Sequence, residues 1–339
     1  VKWSVQAERA DECADIMRRA FKIAHDPPAG PVFVALPINV MEQETANRAV
    51  SGGTLYRAPG ADPDAVQDIA QHLLGAKAPA IVIGDDVARA GAGDAVAALA
   101  EAIGAPIWLE VIHQHRALRS DHPNLRGVLP IDAASIAAAF GETDLVLLIG
   151  GPFFEEIWFA EGTPFPPGAK VLQIEESQER LSRNYALTAG LVAGLAPALA
   201  LLNVAVRKIG SAPIRENAQK RCQQLISLKE EEALAQRARL EKLRSRRPMP
   251  VALAMATLAE TVPPDVVIVE EAITGSPDLT RAFHFNGPGD YFCGRGGGIG
   301  QGLAGALGVQ LANPDRPVVC ISGDGSAMYS ITALWTAAH

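Results

Sequence analysis

Aromatic side chains are scarce in this chain, 5% of its 339 residues, so alanine, valine, leucine and glycine must build most of the interior. Cysteines are few and scattered: Cys13, Cys222, Cys293 and Cys320 have neither metal-site nor disulfide spacing. That excludes a stapled scaffold and fits a reducing, cytoplasmic setting. Positive charge is in deficit, with 30 Lys and Arg against 38 Asp and Glu and a net charge of −8. A nucleic-acid partner therefore has no electrostatic support. The one basic run, Lys242 to Arg247, falls in a polar helical pattern and reads as a solvated face. No apolar run approaches the length of a membrane span and the opening residues lack a leader pattern, so no membrane partner is expected. What remains, 48% apolar and 20% charged, is ordinary for an α/β enzyme of about two domains.

Along the chain, helical and strand patterns alternate. Residues 8–25 read as an amphipathic helix with Ala14, Ile16, Met17, Ala20, Phe21 and Ile23 as burial candidates, followed by a short strand at 31–37. One helix and one strand cannot bury a core, so 1–45 is expected to be the end of a domain that begins upstream. Residues 41–60 read as a linker. From 60 to 208 helices at 62–75, 91–103, 132–140 and 195–207 alternate with strands at 80–84, 106–109, 144–150, 170–174 and 187–193. Short loops between them predict a doubly wound parallel sheet. Residues 209–248 are dominated by Arg, Lys, Glu and Gln and predict a helical surface connector. A third α/β unit, 249–339, follows with helix 250–261, strand 266–269, helix 299–311 and strand 317–322. Val1 is not Met and His339 lies within a helical pattern, so the chain is expected to be a fragment of a longer one.

The most telling segment is Gly323-Asp324-Gly325-Ser326, between an apolar strand and a helical pattern at Ala327–His339 whose face offers Tyr329, Ile331, Leu334 and Trp335. A glycine turn from strand into helix presents free amides and the positive end of the helix dipole to an anion. A carboxylate in that turn repels phosphate unless a divalent cation lies between them. Asp324 thus points to a metal-bridged diphosphate, with magnesium the expected ion. The same triplet also occurs as a plain turn.

Upstream lies the cluster Gly294 to Gly302, broken by Arg295, Ile299 and Gln301. It reads either as a flexible loop or as a close backbone approach to a flat ligand. Gly300, Gly302 and Gly305 continue into a helix at about 1 kcal/mol each against alanine, a cost that argues for tight packing. Ile299 stands alone as a bulky apolar side chain there, and Arg295 reads as a solvated side chain or a substrate-carboxylate contact. The strand-end segment Glu270 to Ser276 lies where open parallel sheets bind ligands, with Thr274 a donor for phosphate. His113, His115 and His122 lack a carboxylate partner at fixed spacing and read as a surface loop. The turn Gly84-Asp85-Asp86 has no dinucleotide fingerprint. The Gly150–Phe154 loop leaves a flavin open, with nothing further to support FAD. No nucleophile–base constellation is readable.

Taken together, Tyr291-Phe292-Cys293, Gly297-Gly298-Ile299-Gly300, Gly308 to Ala312, Gly323 to Ala327 and Ala333 to Ala338 resemble the thiamine-diphosphate-dependent decarboxylases and synthases, benzoylformate-decarboxylase-like enzymes above all. The likeness implies successive doubly wound domains: pyrimidine-binding, central and diphosphate-binding, with the first and last incomplete here. It implies thiamine diphosphate and Mg2+ as cofactors, bound by Ile273, Thr274, Gly297, Gly298, Ile299, Gly323, Asp324, Gly325 and Ser326, with Asp324 on the metal. Gly297 is implied to offer its carbonyl to the aminopyrimidine and Ile299 to bend the cofactor. The activating glutamate is expected in the first domain, before Val1, and a second metal ligand, an asparagine, after His339. Where benzoylformate-decarboxylase-like enzymes carry an active-site histidine near the start of the third domain, this chain has Met249-Pro250.

The resemblance implies non-oxidative decarboxylation of a 2-oxo acid to an aldehyde in a homodimer or homotetramer. Its alternatives are acetolactate-synthase-type carboligation and a non-catalytic homologue or inert fragment.

Overall fold

A computed structural model describes residues 1–50, 53–55, 59–154, 161–295 and 298–339. At the start, β1 (Trp3–Gln6) and β2 (Val32–Ala35) pair in parallel around helix α1 (Cys13–His25), and α2 (Ile38–Met41) follows. Ile16 is buried with Ala7 and Val40, and Ala20 is buried as well. Met17 and Phe21, expected in the interior, are exposed because a two-stranded sheet covers only one stripe of α1.

The middle of the chain forms α3 (Pro63–Gly75), β3 (Pro79–Ile83), α4 (Asp85–Arg89), α5 (Gly93–Ile103), β4 (Ile107–Leu109), β5 (Leu125–Val128), α6 (Ala133–Phe140), β6 (Leu145–Ile149), β7 (Lys170–Glu175), β8 (Ala189–Val192) and α7 (Leu195–Ile209). α3 starts where Asp62 accepts the amides of Asp64 and Ala65, with Pro63 preset for the first turn. The six strands run parallel in the order β5-β4-β3-β6-β7-β8. Alternation along each strand splits the core in two. Ile81, Ile83, Leu145, Leu147, Leu172 and Ile174 face α3, α5 and α7, whereas Ala80, Val82, Val146, Leu148 and Val171 meet Ile136 and Phe140 of α6. Both faces are covered, which is why the strands read as unbroken apolar runs. β5 and α4 were not evident in the sequence: the first is a half-buried edge strand and the second a single turn or so following Gly84.

The connector is one helix, α8 (Ala212–Leu243), of 32 residues. Its polar pattern held, with only Ala218 and Leu225 buried. It docks through cations set on that same stripe. Arg221 donates to the carbonyls of Ile103 (2.6 Å), Gly104 (3.2 Å) and Lys77 (3.2 Å). Lys229 donates to those of Ser120 (2.7 Å), His122 (2.7 Å) and Leu125 (3.3 Å). Among the described residues no single helix is long and apolar enough to cross a membrane.

The last unit contains α9 (Val251–Thr261), β9 (Val267–Glu271), α10 (Ser276–Ala282), β10 (Tyr291–Cys293), α11 (Gln301–Ala312), β11 (Val318–Ser322), α12 (Asp324–Tyr329) and α13 (Ala333–Ala338). Its parallel sheet has the order β10-β9-β11. The helix expected over 327–339 is instead two short ones, the first starting at Asp324. Neither has a buried residue, and Tyr329, Leu334 and Trp335 are 75%, 51% and 68% exposed. Nothing among the described residues covers that face, so no packing extends the helix through Ser330–Thr332.

Candidate functional site

In the sheet β10-β9-β11 the chain reverses its winding between β9 and β11, and ligands of open parallel sheets bind at the carboxyl end of such a crevice. β9 ends there in Glu271 and β11 in Ser322, joined by the amide of Gly323 donating to the Glu271 carbonyl at 3.2 Å. Gly323 caps α12 in an extended conformation, and the first helical bond is Ala327 N–H to the Gly323 carbonyl at 2.9 Å. The amides of Asp324, Gly325 and Ser326 are therefore left over in the first turn. Asp324 and Gly325 are exposed, and the Asp324 carboxylate has no partner among the described residues. Space is open where a Cβ on Gly325 or Gly298 would stand.

Beside this turn stand Ile273 and Thr274, both exposed, in the loop after β9. Ile273 has φ of 42°, the left-handed region that a β-branched residue ordinarily avoids at a cost of about 1–3 kcal/mol. Such strain concentrates at binding loops. Ile299 is 41% exposed and Gly298 is exposed, on the loop leading into α11. The structure thus brings Ile273, Thr274, Gly298, Ile299, Gly323, Asp324, Gly325 and Ser326 to one end of one sheet. Gly297 lies outside the described residues. Among the described residues no group of three or more His, Cys, Asp and Glu could hold a metal. Asp324 is a single carboxylate beside free amides, a donor set that fits one protein ligand of an oxygen-bound, diphosphate-bridging cation.

Sequence reasoning missed the role of Glu271. It is 6% exposed, and its Oε1 accepts the amides of Gly300 (2.6 Å) and Gln301 (3.3 Å) while Oε2 accepts that of Gly302 (3.1 Å). The start of α11, where a glycine-rich approach to a ligand was open, is thus occupied by the protein's own anion. Gly302 is required here, since a Cβ would lie 2.7 Å from that of Glu271. Gly300 has φ of 95°, and a Cβ there would lie 2.8 Å from that of Tyr329. Gly305, also expected in tight packing, borders open space. A strand-end carboxylate followed by a glycine-led helix was the available signal.

The neighbouring Glu270 anchors the floor. It accepts from the Tyr291 hydroxyl (2.7 Å), the Ser276 hydroxyl (2.5 Å) and the Ala272 amide (2.7 Å). The Arg116 guanidinium lies 5.0 Å from the Tyr291 ring centroid and 5.6 Å from that of Phe285. Burial pushes the Tyr291 hydroxyl upward and the Arg116 guanidinium downward from their ordinary pKa values.

The histidine loop is not a surface loop. His113 is 8% exposed, stacks on Tyr291 and donates from Nδ1 to the Glu110 carbonyl, 2.9 Å away. Burial, with Arg116 adding to it, lowers its pKa from 6.5 to about 4. His115 meets Phe292 edge-on, and His122 Nε2 is 3.4 Å from Glu101. The loop is buried because it is the seam between the central and last units. Gln114 O accepts the Cys293 amide (3.2 Å), His113 O accepts the Cys293 thiol (2.8 Å), and Phe285 O accepts the Ser120 amide (2.8 Å). Arg295 belongs to the same seam: it pairs with Asp85 (3.2 Å) and donates to the Ile112 carbonyl. With its side chain 21% exposed, it is not the solvated group the sequence suggested.

The central sheet has the strand order of dinucleotide-binding domains, with its reversal between β3 and β6. That crevice is filled from within. A Cβ on Gly84 would lie 2.3 Å from the Gly150 carbonyl. Asp86 is buried and held by Arg89 (2.7 Å) and Arg180 (2.8 Å). Glu175 is fully buried, accepts the Gly151 amide at 2.8 Å, and is pushed by burial up to about 7. Asp85, Asp86 and Glu175 at this spot are thus all engaged by the protein's own groups.

Comparison with known proteins agrees with this arrangement. Residues 66–202 match the thiamine pyrophosphate enzyme central domain, and residues 274–339 match the C-terminal TPP binding domain. The chain belongs to the thiamine pyrophosphate enzyme family. It is 32% identical over 346 aligned residues to benzoylformate decarboxylase of Pseudomonas aeruginosa, covering all of this chain and 61% of that protein. It is 26% identical to the acetolactate synthase isozyme 1 large subunit of Escherichia coli, over 97% of this chain and 56% of that one. Among solved structures it resembles benzoylformate decarboxylase from Polynucleobacter necessarius, with a TM-score of 0.80 and 27% identity over 99% of this chain and 60% of that chain. The thiamine diphosphate-dependent 4-hydroxybenzoylformate decarboxylase of Rhodococcus jostii gives 0.78 and 25%, over 99% of this chain and 60% of that chain. The chain thus spans about three fifths of the length of these relatives.

Proposed function

We propose that the protein decarboxylates a 2-oxo acid of the benzoylformate kind to an aldehyde, non-oxidatively, with thiamine diphosphate and Mg2+. The observation that carries this reading is the cluster at the carboxyl ends of β9 and β11: an exposed carboxylate, Asp324, among free helix-start amides, at the same end of the sheet as the exposed Thr274 and Ile299. Asp324 would supply a carboxylate oxygen to the cation, and the amides of Gly325 and Ser326 with the Thr274 hydroxyl would hold the diphosphate. The loop at Gly298 and Ile299 would lie against the body of the cofactor. When bound, the cofactor supplies the electron sink for decarboxylation; the protein contributes orientation and electrostatics.

The identity to the Pseudomonas aeruginosa benzoylformate decarboxylase favours decarboxylation, and that to the Escherichia coli acetolactate synthase subunit supports carboligation as the second reading. A homo-oligomer fits a site that needs residues beyond those of this half, and four cysteines without disulfides fit a cytoplasmic location. The test is calorimetric titration of the full-length protein with thiamine diphosphate and Mg2+, then product analysis with benzoylformate and with pyruvate. Magnesium-dependent binding, lost in Asp324→Ala, with benzaldehyde formed from benzoylformate is the expected result. Acetolactate from pyruvate would select the second reading, and no cofactor binding by the full-length protein would overturn both.

A further inference from the structure

We propose that Asp85, a central-unit residue, is a positioning residue for the glycine loop of the cofactor half-site, acting through Arg295. The inference rests on the proposed cofactor role of that loop. Asp85 follows Gly84 at the end of β3, the spot where a dinucleotide-binding sheet would meet a phosphate, and is 3% exposed. Both of its oxygens are engaged. Oδ1 accepts the amides of Gln114 (2.7 Å) and His115 (3.3 Å), which shapes the seam loop. Oδ2 takes Arg295 at 3.2 Å, and the same guanidinium nitrogen donates to the Ile112 carbonyl of that loop. With its side chain 21% exposed, Arg295 is largely withdrawn from water.

The consequence lies in where Arg295 sits. It directly follows Gly294 and precedes Gly298 and Ile299, and the loop's other end is fixed where the Gly300 amide meets Glu271. Among the described residues the segment is therefore pinned on different units: Arg295 to the central unit, Gly300 to the last one. Gly298 and Ile299 lie between the pins: Gly298 borders open space and Ile299 is 41% exposed. A loop this rich in glycine has a large conformational entropy to lose, and a charge-assisted bond near one end limits it. A carboxylate placed where a nucleotide phosphate would sit thus serves as a long-range brace.

The experiment compares full-length wild type with Arg295→Met, Arg295→Lys, Asp85→Asn and the double variant Asp85→Asn/Arg295→Met. Amide hydrogen exchange over 294–299 is measured without cofactor, and thiamine diphosphate affinity by calorimetry with Mg2+. Each neutral variant is expected to exchange faster in that segment and to bind the cofactor about tenfold more weakly, as for loss of one charged hydrogen bond. Arg295→Lys should recover part of both effects, and the double variant should be no worse than the worse single one. Unchanged exchange over 294–299 in Arg295→Met, or additive losses in the double variant, would overturn the proposal. Should the wild type itself not bind thiamine diphosphate, the functional reading falls, while the exchange comparison still decides whether Asp85 holds the loop.

Discussion

Removing the carboxylate of Glu271 should loosen the start of α11 specifically. Three amides, those of Gly300, Gln301 and Gly302, now end on its two oxygens at 2.6, 3.3 and 3.1 Å. Hydrogen bonds to a charged acceptor contribute about 1.5–3 kcal/mol each, but partly exposed amides regain water, so the net cost of Glu271→Ala is about 3 kcal/mol. Glu271→Gln keeps one oxygen for Gly300 and turns an NH2 group on the Gly302 donor, for about half that loss. Since about 1.4 kcal/mol is a factor of ten, exchange of these amides should accelerate about a hundredfold in the alanine variant and about tenfold in the glutamine one. Hydrogen exchange by mass spectrometry, with α3 of the central unit as internal reference, reads this directly. Inorganic phosphate should slow the exchange again in Glu271→Ala, because the freed amides become an anion site. Equal exchange in Glu271→Gln and wild type would refute the reasoning, since it would mean that charge and orientation at the cap contribute nothing.

Two titrations with opposite signs should shape the stability profile. The folded His113 pKa, about 4, lies below its ordinary 6.5, so its contribution is present above 6.5 and lost as pH falls toward 4; the gap corresponds to about 3 kcal/mol. His113→Phe should flatten denaturant-measured stability between those pH values, and a slope unchanged from wild type would contradict the assignment. The folded Glu175 pKa, about 7, lies above its ordinary 4.5, so the fold is favoured with Glu175 protonated and loses stability as pH rises from 4.5 to 7. Glu175→Gln should therefore be more stable than wild type at pH 8, by about 1–3 kcal/mol, and no difference there would show that Glu175 stays charged without penalty.

Much of the fold could be read in the sequence because its strands are buried on both faces. Runs such as Leu145–Ile149 leave no other reading, and the caps at Asp62 and Asp132 mark where α3 and α6 begin. Most of the misses share a physical origin. β5, β10 and the histidine loop are defined by contacts far along the chain, which local periodicity does not contain. His113 looks polar in sequence, yet Tyr291 and Arg116 give it a dry environment. The helix expected after Ala327 failed for the complementary reason: an apolar face helps only if something covers it. At the site, the placement of Asp324 and its glycines was legible because a strand–turn–helix arrangement is local. Glu271 and the Asp85–Arg295 pair were not, since each binds a partner through tertiary approach.

The single bond from the Cys293 amide to the Gln114 carbonyl has a consequence for how the three-stranded sheet can grow. One margin, β10, is sealed by a loop of another unit, while β11 pairs only with β9 among the described residues. Strand addition, whether by the polypeptide's own continuation or by a misfolded neighbour, thus has one port. A covalently connected parallel strand reaches that port only after a crossover of roughly a dozen residues or more, so a tight hairpin cannot fill it in the parallel sense. The sheet is a template with a built-in direction, and aggregation-suppressing substitutions belong on β11 rather than β10.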